Sequence, residues 1–171
     1  MKKKIAYLLA AAVVLAALAG CGSKVNDHVV DYKLDIPDGF TETELEGADA
    51  CWVSADGTAN INVGTVAKAA GTDVTFKAAT ADMLRENLVD GMKQTYGEEP
   101  VVTDRYFTKN QVNGLDAYQY SYDMTVMGMD ITQIIVSVNA SRTYTFTYTT
   151  NDSAMLAVFD ESAKNIQLVI E

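Results

Sequence analysis

Hydrophobic and polar positions alternate in two long stretches of this chain, and two helical stretches follow them. Val30, Tyr32, Leu34 and Ile36 are separated by single polar residues, the pattern of a half-buried strand. Pro37-Asp38-Gly39 supplies turn chemistry after it. Residues 41–46 read as a weaker, charged strand suited to a sheet edge. Residues 50–54 form a third strand, Asp56-Gly57 a hairpin turn, and Asn60-Ile61-Asn62-Val63 alternates again. A small connection spans 69–73.

The period then changes. Over 76–96, Phe76, Met83, Leu84, Leu88 and Met92 share one broad helical face, and Asp82, Glu86, Asp90 and Lys93 share the other. Asp73 or Thr75 can cap the start and Gly97 can close the end. Gly91 lies in the apolar face, where it costs ~0.5–1 kcal/mol relative to Ala. Its presence there predicts a close approach of helix to sheet. A second β region follows at 101–108, 115–124, 131–138 and 143–150, with turns at Asn113-Gly114 and Met127-Gly128. Tyr118, Tyr120 and Tyr122 fall on one strand face, and Tyr144, Phe146 and Tyr148 on another. Asn151-Asp152 can start a helix in which Met155, Leu156, Phe159 and Ala163 keep helical spacing to about residue 165. Residues 166–170 can add a short strand. This order predicts an α+β domain, with a mainly antiparallel sheet covered by helices.

The first twenty residues stand apart from that fold. Lys2, Lys3 and Lys4 precede an uncharged, mostly apolar run over 5–18, the layout of a secretory signal. Its 14 residues fall short of the ~20 a transmembrane helix needs. The run ends at Leu18-Ala19-Gly20-Cys21, which resembles the lipobox of bacterial lipoproteins. The resemblance implies a diacylglyceryl group on the Cys21 thiol, cleavage before Cys21, and a new amino group open to acylation. Two or more acyl chains on one residue make a durable anchor, since each buried CH₂ contributes ~0.8 kcal/mol. The expected organisation is a signal over 1–20, a lipidated cysteine and tether over 21–28, and one domain over 29–171. The expected location is the extracytoplasmic face of a bacterial membrane, with the membrane as partner through Cys21.

Composition narrows the chemistry. The chain has 171 residues, 13 Lys+Arg, 23 Asp+Glu and a formal net charge of −10. Loss of the signal removes three lysines and no acids, which makes the remaining domain more acidic still. That balance argues against nucleic acid, whose phosphates need clustered cations. The single histidine, His28, lies in the expected tether, so a Ser-His-Asp triad, a histidine zinc site or a thiol base for Cys51 has no ready partner. Cys51, between Ala50 and Trp52, reads as a buried small hydrophobe. No phosphate loop, dinucleotide fingerprint or nucleophile elbow occurs, and no cofactor is expected. Glu42, Glu44 and Glu46 at period two would share a strand face, either as a solvated edge or as a site for a hard cation. Asp82, Glu86 and Asp90 read as plain helix surface.

The aromatic rows leave two readings open. Tyr118, Tyr120 and Tyr122 can pair across the sheet with Tyr144, Phe146 and Tyr148 as core. Alternatively Tyr118, Tyr120, Tyr122, Tyr144 and Tyr148 line an apolar groove with hydroxyl rims for a small ligand.

Several stretches in order carry a second resemblance: Tyr32-Lys33-Leu34-Asp35-Ile36-Pro37-Asp38-Gly39-Phe40, then Asp56-Gly57-Thr58-Ala59-Asn60-Ile61-Asn62-Val63, then Asn113-Gly114-Leu115-Asp116-Ala117-Tyr118, then Tyr144-Thr145-Phe146-Thr147-Tyr148 and Phe159. Over about residues 29–166 the chain resembles the PsbP-like superfamily. That likeness implies an α/β/α sandwich and a non-enzymatic binding or assembly role, with an envelope protein or small ligand as partner. The other expectations kept open are a carboxylate-based extracytoplasmic hydrolase and a structural envelope protein.

Overall fold

The computed structural model describes residues 29–68, 72–97, 99–126 and 128–171. The lipobox and the tether lie outside the described residues. The order of elements is β1 (Val29–Lys33), β2 (Phe40–Glu42), β3 (Ala50–Ser54), β4 (Ala59–Ala67), α1 (Thr72–Ala78), α2 (Ala81–Tyr96), β5 (Val101–Val112), β6 (Leu115–Val126), β7 (Met129–Asn139), β8 (Arg142–Thr150), α3 (Ser153–Lys164) and β9 (Gln167–Ile170). Seven strands form one antiparallel sheet in the order β2-β3-β4-β8-β7-β6-β5. β1 and β9 pair separately as a two-stranded antiparallel ribbon.

Local chemistry explains the hairpins. At the β5–β6 turn Asn113 has φ 51° and Gly114 φ 81°, the double left-handed turn that a right-twisted hairpin favours. Asn113 also ties the turn to the ribbon, because its Oδ1 accepts from the Leu168 amide at 2.8 Å. At the β3–β4 turn the Asp56 carboxylate accepts from Ser54 Oγ at 2.7 Å and from the Thr58 amide at 3.0 Å. These bonds hold that carboxyl below its ordinary range.

The sheet carries a core on each face. On one face Ile61, Val63, Val136, Phe146, Tyr148, Phe159 and Leu168 pack together beneath α3 and the ribbon. On the other, Leu84, Leu88 and Met92 of α2 and Phe76 of α1 pack on Tyr118, Tyr120, Tyr122 and Ile135. The result is an α+β domain with a mainly antiparallel sheet between helices, as the alternation implies.

Several expectations are corrected. The helix expected over 76–96 is two helices. Thr80 takes an extended backbone (φ −132°, ψ 162°) and its hydroxyl accepts from the Met83 amide at 3.3 Å, so it caps α2 where Asp73 or Thr75 was expected to start the helix. Gly97 closes α2 as read, at φ 71° with its amide donating to the Lys93 carbonyl at 2.9 Å. Gly91 is half-buried on α2. β1 ends at Lys33; Leu34 and Ile36 pack on the α3-side core without strand pairing. β2 ends at Glu42, so Glu44 and Glu46 lie in a loop and the three glutamates do not share a strand face. A bulge at Arg105 lets β5 send Asp104 and Phe107 to the α2 face and Tyr106 to the α3 face, where its hydroxyl donates to Asp160 Oδ1 at 2.7 Å.

Candidate functional site

The five tyrosines expected to line one groove are separated by the sheet. β6 and β8 are not neighbours; β7 lies between them. The register pairs Tyr120 with Ile135, and Ile135 with Thr147. Strand side chains alternate between faces, so Tyr118, Tyr120 and Tyr122 share the face of Thr147, while Tyr144 and Tyr148 occupy the opposite one. The single groove of Tyr118, Tyr120, Tyr122, Tyr144 and Tyr148 is therefore not formed, nor does either aromatic row pair with the other.

Each row is packed inside its own core. Phe76 lies 4.9 Å from Tyr118, and Tyr120 lies 5.0 Å from Tyr122, between ring centroids. Across the sheet, Tyr148 lies 5.3 Å from Phe159. Their hydroxyls are engaged as well. The Tyr120 hydroxyl donates to Asp104 Oδ1 at 2.5 Å, and Arg85 bridges Asp104 and Asp82. The Tyr122 hydroxyl donates to Gln133 Oε1. Burial pushes the Tyr148 hydroxyl up to about 12 and raises Tyr120 and Tyr122 as well, so all three hold their protons near neutrality.

A second set of residues on the α2 face has a different character. Three rows cross the sheet there in register. One runs Val53, Asn60, Thr149, Gln133, Tyr122; the next Cys51, Asn62, Thr147, Ile135, Tyr120; the third Gly64, Thr145, Ser137, Tyr118. Every row is aromatic at β6 and polar at β8, and β4 contributes Asn60, Asn62 and Gly64. No residue of β3, β4 or β8 joins the α2-side core cluster. The polar positions are nonetheless buried: Gln133 is 0% exposed, Thr147 1% and Asn62 4%.

Most of these groups find partners within the floor. Gln133 Nε2 donates to Thr149 Oγ1 at 2.7 Å, Asn62 Nδ2 donates to Asn60 Oδ1 at 3.3 Å, and the hydroxyls of Ser137 and Thr145 lie 3.3 Å apart. Thr147 is the exception. Its Oγ1 is buried without a hydrogen-bond partner among the described residues. One row away, a Cβ placed on Gly64 would meet nothing within 4 Å, although Gly64 lies in the middle of β4. The floor thus combines an unsatisfied hydroxyl with open space beside it. Cys51 borders it as a buried thiol, pushed up to about 11 by burial.

The acidic positions do not converge. Glu42, Glu44, Glu46 and Asp49 line an open groove of about 800 Å³, and no group of three His, Cys, Asp or Glu among the described residues could hold a metal ion. A smaller cleft of about 220 Å³ contains Asp123 and Asp130. There Thr132 Oγ1 donates to Asp123 at 2.7 Å, Arg105 pairs with Asp123 at 3.2 Å, and Thr125 Oγ1 donates to Asp130 at 2.6 Å. On α2, Asp82 pairs with Arg85, and Asp82, Glu86 and Asp90 are all exposed.

No protein-family model matches the chain, and no curated protein sequence matches it significantly. Solved structures do. Cyanobacterial PsbP (CyanoP) from Synechocystis superposes with a TM-score of 0.62 over 88% of this chain and 98% of its own, at 14% identity. The fold is PsbP-like. LpqN, described as involved in cell envelope biogenesis of Mycobacterium tuberculosis, is similar at a TM-score of 0.45 and 11% identity, covering 81% of this chain and 83% of its own. At such identities the likeness is one of fold alone.

Within this PsbP-like sandwich the floor occupies the half of the sheet farthest from β5. The sequence leaves the aromatic rows open as core or as a ligand groove, and gives no prominence to Asn60, Asn62, Thr145, Thr147 and Thr149. Their signal was present in the alternation of β4 and β8, but a polar strand face is ordinarily a wet one.

Proposed function

We propose that this chain is a bacterial lipoprotein, held at the extracytoplasmic face of a membrane by acyl chains on Cys21. Its PsbP-like domain serves there as a non-enzymatic binding module. The address rests on Leu18-Ala19-Gly20-Cys21 behind a charged and then apolar leader. No helix among the described residues is long and apolar enough to cross a membrane, which is compatible with anchoring by lipid. The binding reading is carried by one observation, the unpartnered Thr147 hydroxyl beside the open space at Gly64. A buried hydroxyl without a partner is costly, and a ligand that satisfies it recovers that cost on binding. Three of the acids, Asp104, Asp123 and Asp130, are engaged by Arg85, Arg105, Thr125 and Thr132.

Membrane fractionation tests the address. Wild type is expected in the membrane fraction and released only by detergent, and Cys21→Ser in the soluble extracytoplasmic fraction. Wild type recovered free of membrane contradicts the reading.

A further inference from the structure

We propose that the floor around Gly64 and Thr147 binds a neutral saccharide. The inference rests on the binding-module reading above and adds the class of ligand.

The chemistry of the floor excludes the other classes in turn. Asn60, Asn62, Thr145 and Thr147 offer amides and hydroxyls and no ionised group. An ionic ligand seated there would lose its hydration without gaining a counter-charge. An apolar ligand would leave the amides and the Thr147 hydroxyl unpaired. A peptide strand adds to a sheet through an exposed edge, yet β4 and β8 are both interior strands. What remains is an uncharged ligand that carries donors and acceptors close together. Each Asn side chain is both a donor and an acceptor, so it can pair with two neighbouring sugar hydroxyls at once. Asn62 and Thr147 are directly cross-strand, which places an amide beside the unsatisfied hydroxyl. Gly64 contributes by having no side chain. Its backbone is not in the left-handed region and nothing lies within 4 Å of an added Cβ, so its absence of a side chain answers neither strain nor crowding.

The test uses the full chain in a zwitterionic detergent that carries no sugar. The probes are the neutral β-1,4-linked tetramer of N-acetylglucosamine, cellotetraose, maltotetraose and an uncharged, end-blocked tetra-alanine. Saturation-transfer NMR and calorimetry read binding; circular dichroism reads the thermal midpoint. At least one saccharide is expected to bind saturably. Gly64→Val is expected to weaken it more than about tenfold, or ~1.4 kcal/mol, with no fall in the thermal midpoint. Thr147→Val is expected to weaken it about two- to tenfold, the value of one hydrogen bond. Failure of every saccharide to saturate overturns the inference, as does saccharide binding that survives Gly64→Val. Binding of tetra-alanine alone, abolished by Gly64→Val, overturns the saccharide and leaves the binding floor standing. Fractionation of Cys21→Ser is independent of all these outcomes.

Discussion

Thr147 and Thr149 lie two residues apart on the same face of β8, and their removal should have opposite signs. Thr147 is 1% exposed and its hydroxyl has no partner among the described residues. Leaving such a group unpaired costs ~1–3 kcal/mol. Valine keeps the branched shape and the strand preference of threonine. Thr147→Val should therefore stabilise the ligand-free protein by ~1–2 kcal/mol, part of the penalty being retained because the surrounding amides remain. At ~2–4 °C per kcal/mol for a chain of this size, the thermal midpoint should rise by ~2–8 °C. Thr149 Oγ1 accepts from Gln133 Nε2 at 2.7 Å, and Gln133 is fully buried. Thr149→Val orphans that donor and should destabilise by ~1–3 kcal/mol. Thermal melts of both variants under one buffer and detergent, followed by circular dichroism, measure the difference. A fall in midpoint for Thr147→Val, or shifts of the same sign in both, would refute the description of the floor.

Further outcomes follow from the two cores. Phe159 is fully buried against Tyr148 and Phe40, so Phe159→Ala should cost ~3–5 kcal/mol in urea unfolding. Tyr120→Phe keeps the ring and loses a hydrogen bond to the Asp104 carboxylate, and should cost ~1.5–3 kcal/mol by the same assay. Cys51 should resist iodoacetamide in the folded protein at neutral pH and react once it is unfolded, as followed by mass spectrometry. Burial raises its folded pKa from 9.0 to about 11, so the thiol gives up its proton more readily in the unfolded chain. The stability this provides is full below pH 9 and lost as pH rises toward 11. Wild type should lose stability over that window more steeply than Cys51→Ala; equal slopes would count against a buried thiol.

Much of the domain could be read residue by residue. The Asn113-Gly114 and Asp56-Gly57 turns follow from local backbone chemistry, as does the Gly97 cap. Each needs only a few neighbouring residues to be understood. Strand order is a different matter. β4 pairs with β8 across some 80 residues of chain, and nothing in the alternation of either strand specifies that partner. Because β7 lies between β6 and β8, the two aromatic rows end on opposite faces, a consequence of topology that period-two reading cannot reach. The break at Thr80 was hidden by apolar spacing that continues through it from Phe76 to Leu84. The polar floor was hidden for a converse reason. Asn60, Asn62 and Thr147 look like solvent-facing positions, and only their burial in the folded sheet makes an unpaired hydroxyl there informative.

The anchoring of this chain through Cys21 is tested most directly by intact mass spectrometry of the protein isolated from its native membrane. The account predicts a chain that begins at Cys21 and retains 151 of the 171 residues, with a diacylglyceryl mass on the thiol. A chain that still carries its first twenty residues, with a free thiol at position 21, would contradict it.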